Sequence, residues 1–296
     1  MNERDRDPGR PMDEDEAGHV RVIEAPRGGT NVFVHLGVPY VTRDGRTLHL
    51  QIIQPSGDAA MVGWDEAFAG RYPCLVFVQG SGWGPQALGA GLWPLCRLAE
   101  RGYVVAVVEY RPSSVAPHPA QVHDAKAAVR WLRRRADRYG IDPDRLSIAG
   151  DSSGGQVALL LHATDGTAEL DDRPDAPPLA LRSAVAFYPP TDLTTMEQDD
   201  AVRDMLGGRP SEVPDVARDA SPASHLDARP RGPVLLVHGT ADDVVPHAHS
   251  LDYARELRRH GQRVQVVLVE GAGHGIWPST FGPEVIDAVE EHLRSS

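Results

Sequence analysis

The apolar positions of this chain change their spacing after residue 74. From there on, short apolar runs alternate with longer segments in which apolar residues recur every three or four positions. The short runs occupy residues 75–78, 104–108, 146–149, 183–187, 234–237 and 264–269. Uninterrupted apolar strands are typical of a parallel sheet that helices cover on both faces. The pattern therefore predicts an α/β fold with a mostly parallel central sheet.

Two further patterns complete the predicted architecture. Segments 35–41 and 47–53 have the character of strands and flank Asp44-Gly45, a dipeptide that favours tight hairpin turns. We therefore expect an N-terminal antiparallel hairpin. Between the later strands, apolar spacings of three and four predict helices that pack on the sheet. These helices cover residues 122–139, 250–260 and 283–293.

The remaining segments suggest the domain organisation. Residues 1–19 are charged and rich in proline, so we expect a disordered polar tail, followed by a single domain over residues 20–296. Residues 189–233 interrupt the alternation of strands and helices, with one short helix predicted near residues 199–206. Loops of this length in a compact domain are commonly functional. We expect this insertion to act as a partial cap over a site.

Charge and composition narrow the possible partners. The chain has 296 residues and a formal net charge of −12. Nucleic acids and anionic membranes are bound by clustered Lys and Arg, so we expect neither partner. No apolar segment approaches the roughly 18 residues of a membrane span, and residues 1–16 show no secretory signal, so the expected location is the cytoplasm. Nothing in the sequence indicates an oligomeric state.

Residues 150–155, Gly-Asp-Ser-Ser-Gly-Gly, lie between a predicted strand and an apolar helical segment. This is the G-x-S-x-G context in which a serine stands exposed on a sharp turn from strand to helix. Because a serine hydroxyl is a weak nucleophile at neutral pH, Ser152 would need a histidine base, an acid and donors for an oxyanion.

Suitable partners follow two later strands. Asp242 and Asp243 come after the strand at 234–237, and His274 lies in a glycine-rich loop after the strand at 264–269. The carboxyl ends of parallel strands meet at one edge of a sheet, where ligands bind in open α/β folds. The residues alone leave either aspartate open as the acid.

A second glycine-rich segment, residues 79–84, follows the first parallel strand. Its main-chain N–H groups around Ser81 and Gly82, together with the Ser153 amide, would suit an oxyanion hole. The segment also partly matches the G-x-G-x-x-G fingerprint of dinucleotide sites, but Pro85 stands where the last glycine is needed. We therefore expect no nucleotide cofactor, and serine catalysis requires no metal or organic cofactor.

Several motifs in this order resemble those of α/β-hydrolase carboxylesterases, in particular the hormone-sensitive-lipase-like and acetyl-xylan/feruloyl-esterase-like groups. The motifs lie at 79–83, 118–121, 126–132, 139–145, 150–155, 190–193, 238–246 and 270–275. The resemblance implies the α/β-hydrolase fold, with Ser152 as nucleophile, Asp242 as acid and His274 as base. The residues expected at the oxyanion hole and against the substrate are Ser81, Gly82, Ser153 and Trp83.

The chain departs from this family at two positions, because Gln79 and Ser81 replace the histidine and a glycine of the usual His-Gly-Gly-Gly-Trp. Main-chain donors survive both changes, but the side-chain support beneath the loop is left open. The expected function is hydrolysis of small or short-acyl esters through an acyl-enzyme. The alternatives are an arylformamidase-like amidase, a small peptidase with the same triad, and a non-catalytic ligand-binding protein of this fold.

Overall fold

The structure is a computed structural model that describes residues 30–56, 70–275 and 281–296. Eight strands form one sheet in the order β1-β2-β4-β3-β5-β6-β7-β8. The strands are β1 (Asn31–Arg43), β2 (Arg46–Ser56), β3 (Tyr72–Val78), β4 (Val104–Val108), β5 (Ile141–Asp151), β6 (Ala184–Phe187), β7 (Val234–Gly239) and β8 (Val264–Val269). The pairs β1·β2 and β2·β4 are antiparallel and the others are parallel. The predicted sheet and hairpin are confirmed.

Helices cover both faces of the sheet, as predicted. Within the described residues they are α1 (Leu92–Glu100), α2 (Ala120–Arg134), α3 (Ser153–Ala163), α4 (Asp200–Leu206), α5 (Pro214–Asp219), α6 (Ala248–Arg259) and α7 (Pro283–Arg294). Buried side chains of α2, α3 and α6 pack in one apolar layer, and those of α1 and α7 pack in a second layer on the opposite face. None of the helices in the described ranges has the length and apolar character that crossing a bilayer requires.

The helix predicted over residues 122–139 is divided in the structure. Helix α2 ends at Arg134, and a 3₁₀ turn covers Ala136–Tyr139 before Gly140 adopts a left-handed conformation with φ of 59°. Both parts bury apolar side chains in the same layer. The apolar spacing therefore continues across the break, which explains why the sequence pattern does not reveal it.

Residues 189–233 contain more regular structure than the sequence predicts. Helix α4 corresponds to the helix expected near residues 199–206, but α5 and the 3₁₀ helices Leu193–Thr195 and Pro222–His225 were not expected. Elements this short do not establish a helical period. The predicted tail at residues 1–19 lies outside the described residues, and the single domain over residues 20–296 stays a prediction.

Candidate active site

Ser152 lies on the sharp turn that joins β5 to α3. Its backbone has φ of 50° and ψ of −125°, a conformation that non-glycine residues rarely adopt. The turn also brings main-chain atoms very close to its two glycines. A Cβ atom on Gly154 would lie 2.0 Å from the carbonyl oxygen of Val78, and one on Gly150 would lie 2.3 Å from the carbonyl oxygen of Gly154. Only glycine fits at these positions, so the motif fixes the turn that presents Ser152.

The structure brings Ser152, Asp242 and His274 together at the carboxyl edge of the sheet. His274 Nε2 lies 2.9 Å from Ser152 Oγ, and His274 Nδ1 lies 2.8 Å from Asp242 Oδ2. Because an ionised carboxylate only accepts hydrogen bonds, Nδ1 carries the ring proton and Nε2 is left to accept the serine proton. Asp243 is exposed to solvent, so Asp242 is the carboxylate that orients the imidazole.

The Asp242 carboxylate is held in its charged form. Its side chain is 0% exposed, and burial alone would raise its pKa. Hydrogen bonds from His238, His274 and the Val245 amide outweigh burial and lower the pKa of Asp242 well below its usual range. Asp242 Oδ1 accepts the amides of Val244 and Val245 at 3.0 and 2.9 Å. The carboxylate is therefore ionised throughout the neutral range.

A second buried histidine contacts the same carboxylate. His238 Nε2 lies 2.8 Å from the Val245 carbonyl oxygen and 3.3 Å from Asp242 Oδ2, and Nδ1 lies 2.7 Å from Ser250 Oγ. Since Nε2 faces two acceptors, it carries the proton, and Nδ1 accepts the Ser250 hydroxyl. This contact was not predicted from the sequence. Its only sequence signal is a histidine at a strand end, four residues before Asp242.

The oxyanion loop, residues 79–84, differs from expectation at Ser81. The Ser81 amide donates to Ser153 Oγ at 3.0 Å, so it is already used within the protein. The amides of Gly82 and Ser153, by contrast, donate to no group in the described residues. Of the three predicted donors, the amides of Gly82 and Ser153 are open and the Ser81 amide is engaged by a side chain, and the oxyanion hole itself stays a prediction.

Asp151, which precedes the nucleophile, also supports this loop. Its Oδ1 accepts the Gly80 amide at 2.8 Å, and its Oδ2 accepts the Tyr188 hydroxyl at 3.3 Å. Burial raises the pKa of Asp151 to about 6, although hydrogen bonds from Gly80 and Tyr188 partly offset the effect. The residues on both sides of Ser152 thus hold successive amides of the oxyanion loop, which the sequence analysis did not predict.

Amide side chains supply the support beneath the loop that the sequence left open. Gln79 Nε2 donates to the carbonyl oxygens of Ala87 and Ala90, both at 3.1 Å. Gln86 Nε2 in turn donates to the Gln79 carbonyl oxygen at 2.8 Å. The glutamine that replaces the family's histidine therefore fastens the oxyanion loop to the segment that follows it.

A cleft of about 400 Å³ opens beside Ser152. Trp83 lines it, and its indole N–H donates to Gln156 Oε1 at 3.0 Å, so the ring is fixed and offers a substrate only apolar contact. The insertion and the loop after β7 contribute further lining residues, namely Met196, Asp199, Ala201 and Val244. In the described part of the chain, no group of three His, Cys, Asp or Glu side chains is arranged to hold a metal ion.

Comparison with known proteins places this site in a family. Residues 64–257 match the family model described as BD-FAE, which is well over half of the 296 residues. The chain belongs to the BD-FAE family. The predicted resemblance to α/β-hydrolase carboxylesterases is thereby confirmed.

Individual relatives of this BD-FAE chain are esterases. Esterase LipC of Mycobacterium tuberculosis (strain ATCC 25618 / H37Rv) is 35% identical over 218 residues, which cover 69% of this chain and 53% of the relative. Ethyl acetate hydrolase of Pseudomonas putida is 30% identical over 276 residues, covering 85% of this chain and 81% of the relative. The BD-FAE chain spans about half the length of three of the curated relatives that it matches, LipC among them.

A solved structure extends the comparison to the fold. Esterase 2 of Thermogutta terrifontis, in a form phosphoramylated by tabun, is 27% identical to the BD-FAE chain, with a TM-score of 0.68. The match covers 90% of this chain and 94% of that one. The fold of the described residues is therefore shared with a solved esterase structure.

Proposed function

We propose that this BD-FAE chain is a serine carboxylic-ester hydrolase that cleaves small or short-acyl esters through an acyl-enzyme. The observation that carries the proposal is the hydrogen-bonded series from Asp242 through His274 to Ser152, with spacings of 2.8 and 2.9 Å. Ser152 Oγ attacks the ester carbonyl carbon while its proton passes to His274 Nε2. The charged Asp242 stabilises the imidazolium that results.

The remaining steps use the groups around the nucleophile. Negative charge develops on the carbonyl oxygen, and the open amides of Gly82 and Ser153 stabilise it. The tetrahedral intermediate expels the alcohol, which takes the proton from His274 Nε2, and the acyl group stays on Ser152 Oγ. A water molecule then gives a proton to His274, attacks the acyl carbon and releases the carboxylic acid, and Ser152 recovers its proton.

The size of the cleft supports the choice of a small substrate. A volume of about 400 Å³ lies at the lower end of the roughly 300–1,000 Å³ typical of small-molecule sites. A relative that this chain covers for most of its length is named an ethyl acetate hydrolase, which favours a short acyl group. The walls contributed by Met196, Ala201 and Val244 suit an apolar acyl or alkyl chain of limited length.

The test compares the wild-type protein with Ser152→Ala on p-nitrophenyl acetate, butyrate and octanoate. We expect a burst of p-nitrophenol equal to the enzyme concentration, fastest turnover on the shorter esters, and a loss of at least about 10³-fold in kcat for Ser152→Ala. Ser114→Ala, at an exposed serine, is the matched control and should keep full activity.

Two outcomes would contradict the proposal. If the wild-type protein cleaves N-formyl anilines or peptides but none of the esters, the same machinery serves an amidase or a peptidase. If the wild-type protein and Ser152→Ala are equally inert on all of these substrates, the chain is a ligand-binding protein of the hydrolase fold.

A further inference from the structure

Three hydroxyl groups meet behind the oxyanion loop. Ser81 Oγ lies 3.0 Å from Tyr110 Oη, and Tyr110 Oη lies 3.4 Å from Ser153 Oγ. Ser81 Oγ also donates to the Gly84 carbonyl oxygen at 2.7 Å, and the Ser81 amide donates to Ser153 Oγ at 3.0 Å. Tyr110 is 1% exposed and does not line the cleft at Ser152. Tyr110 is therefore set back from the substrate surface, whereas Ser81 and Ser153 line it.

The direction of each hydrogen bond in this cluster follows from the number of protons available. The single hydroxyl proton of Ser81 goes to Gly84, so towards Tyr110 its oxygen can only accept. Tyr110 must then donate to Ser81, which leaves the tyrosine oxygen to accept from Ser153. The Ser153 oxygen in turn accepts the Ser81 amide. All four bonds are mutually consistent in one arrangement of protons only.

Tyr110 keeps the proton that this arrangement needs. Burial raises the pKa of Tyr110 to about 12, and the hydrogen bonds with Ser153 and Ser81 offset only part of this rise. The phenol therefore remains a donor through the neutral and mildly alkaline range. Its backbone is also fixed, because the Tyr110 amide donates to Gln86 Oε1 at 2.8 Å.

We propose that Tyr110 is a positioning residue for the oxyanion hole, which it aligns through the hydroxyls of Ser81 and Ser153. This inference rests on the proposed function. Ser153 carries one open amide donor and, through its hydroxyl, holds the residue next to the other open donor, Gly82. A shift of either hydroxyl therefore changes the spacing of the two donors. A glycine at position 81, as is usual in the family, has no side chain that Tyr110 can hold.

The first test is Tyr110→Phe, which removes one hydroxyl and leaves the ring in place. Losing a hydrogen bond that acts mainly in the transition state should lower kcat on p-nitrophenyl acetate by about 3- to 10-fold, with KM unchanged within about 2-fold. The affinity for a methyl phosphonate or boronic acid that mimics the tetrahedral intermediate should fall by a similar factor. Ser81→Ala, which removes the same link from the other side, is expected to show the same loss.

Tyr40→Phe is the matched control. Tyr40 is a buried tyrosine whose hydroxyl donates to the Glu109 carbonyl oxygen at 2.5 Å. It therefore contacts the backbone next to Tyr110, but in the described residues it makes no hydrogen bond to Ser81 or Ser153. Its loss should affect stability and leave kcat and the inhibitor affinity unchanged. If Tyr40→Phe lowers kcat as much as Tyr110→Phe, the effect is one of general stability and the positioning role is wrong.

A double-mutant cycle distinguishes an effect of Tyr110 on kcat that acts through Ser81 from an effect that acts by another route. In the Ser81→Gly background, Tyr110→Phe should lower kcat by a smaller factor than in the wild-type protein, because the link to Ser81 is already absent and only the contact with Ser153 Oγ remains. The positioning role is overturned if Tyr110→Phe lowers kcat in the Ser81→Gly background by as much as in the wild-type background. It is also overturned if an active wild-type protein and Tyr110→Phe have equal kcat. An inert wild-type protein would instead overturn the proposed function, and with it this inference.

Discussion

Replacement of Asp151 by asparagine should stabilise the protein at neutral pH. The Asp151 carboxyl is buried, and its two oxygens accept the Gly80 amide and the Tyr188 hydroxyl. An asparagine has the same shape, keeps an acceptor for Gly80, and presents an amide N–H to the tyrosine oxygen. The substitution therefore removes the buried charge and retains both hydrogen-bonded partners.

The magnitude follows from the pKa of this group. Burial raises the pKa of Asp151 from 3.8 to about 6, so the folded state binds the proton more tightly than the unfolded chain. The stability that the protonated form provides is complete below pH 3.8 and is lost as the pH rises through about 6. At about 1.4 kcal/mol per pH unit, the full loss is of the order of 3 kcal/mol.

The assay is urea unfolding of the wild-type protein and Asp151→Asn at about pH 4, 6 and 8. Relative to the wild-type protein, the unfolding free energy of Asp151→Asn should rise by about 2–3 kcal/mol between the lowest and the highest pH. Asp243→Asn removes an exposed carboxylate and should change stability by no more than about 0.5 kcal/mol. If the difference in unfolding free energy between Asp151→Asn and the wild-type protein does not change with pH, the carboxyl of Asp151 does not have a raised pKa in the folded state.

Two further predictions concern the triad and the turn. Asp242→Asn presents an N–H to His274 Nδ1 and favours the tautomer that cannot accept the serine proton, so kcat on p-nitrophenyl acetate should fall by about 10⁴-fold. Asp243→Asn should stay within about 2-fold, and a loss below tenfold for Asp242→Asn would contradict the assigned tautomer. Gly154→Ala places a Cβ 2.0 Å from a carbonyl oxygen and should lower the unfolding free energy by about 3 kcal/mol or more. Gly89→Ala, with no atom within 4 Å of its Cβ, should unfold like the wild-type protein, and equal melting of the two variants would show that the turn relaxes.

The sequence predicted strand bounds best where apolar runs are nearly continuous. Strands β4 and β8 have the predicted bounds: β4 is an unbroken, fully buried apolar segment, and β8, which is only partly buried, is interrupted by Gln265 alone. Strand β5 starts at Ile141, five residues before the predicted run at 146–149. Residues 142–145, Asp-Pro-Asp-Arg, interrupt the apolar pattern although Ile141 pairs with Tyr72 of β3. Pairing between distant strands, which no local pattern reveals, sets the start of this strand.

The distinction between local sequence pattern and long-range pairing applies to the site as well. Ser152, Asp242 and His274 could be proposed from sequence because each follows a strand, and a parallel sheet gathers such positions at one edge. The contacts that support these three residues could not be predicted from the sequence. The Ser81 amide and Ser153 Oγ come from residues 72 positions apart. From the sequence alone, either group could pair with many other donors or acceptors. Such contacts depend on distances between loops, which the pattern of apolar residues does not determine.

Two supports of the oxyanion loop come from a single short segment, and this has a physical consequence. Asp151 holds Gly80 and Ser153 holds Ser81, while the residue between the two is the nucleophile. The distance from Ser152 Oγ to the open amides therefore depends directly on this turn and on these two hydrogen bonds. Substitutions on the loop and on this turn share partners, so their effects on kcat should not add. Changes to the oxyanion loop are thus best interpreted together with the side chains on both sides of the nucleophile.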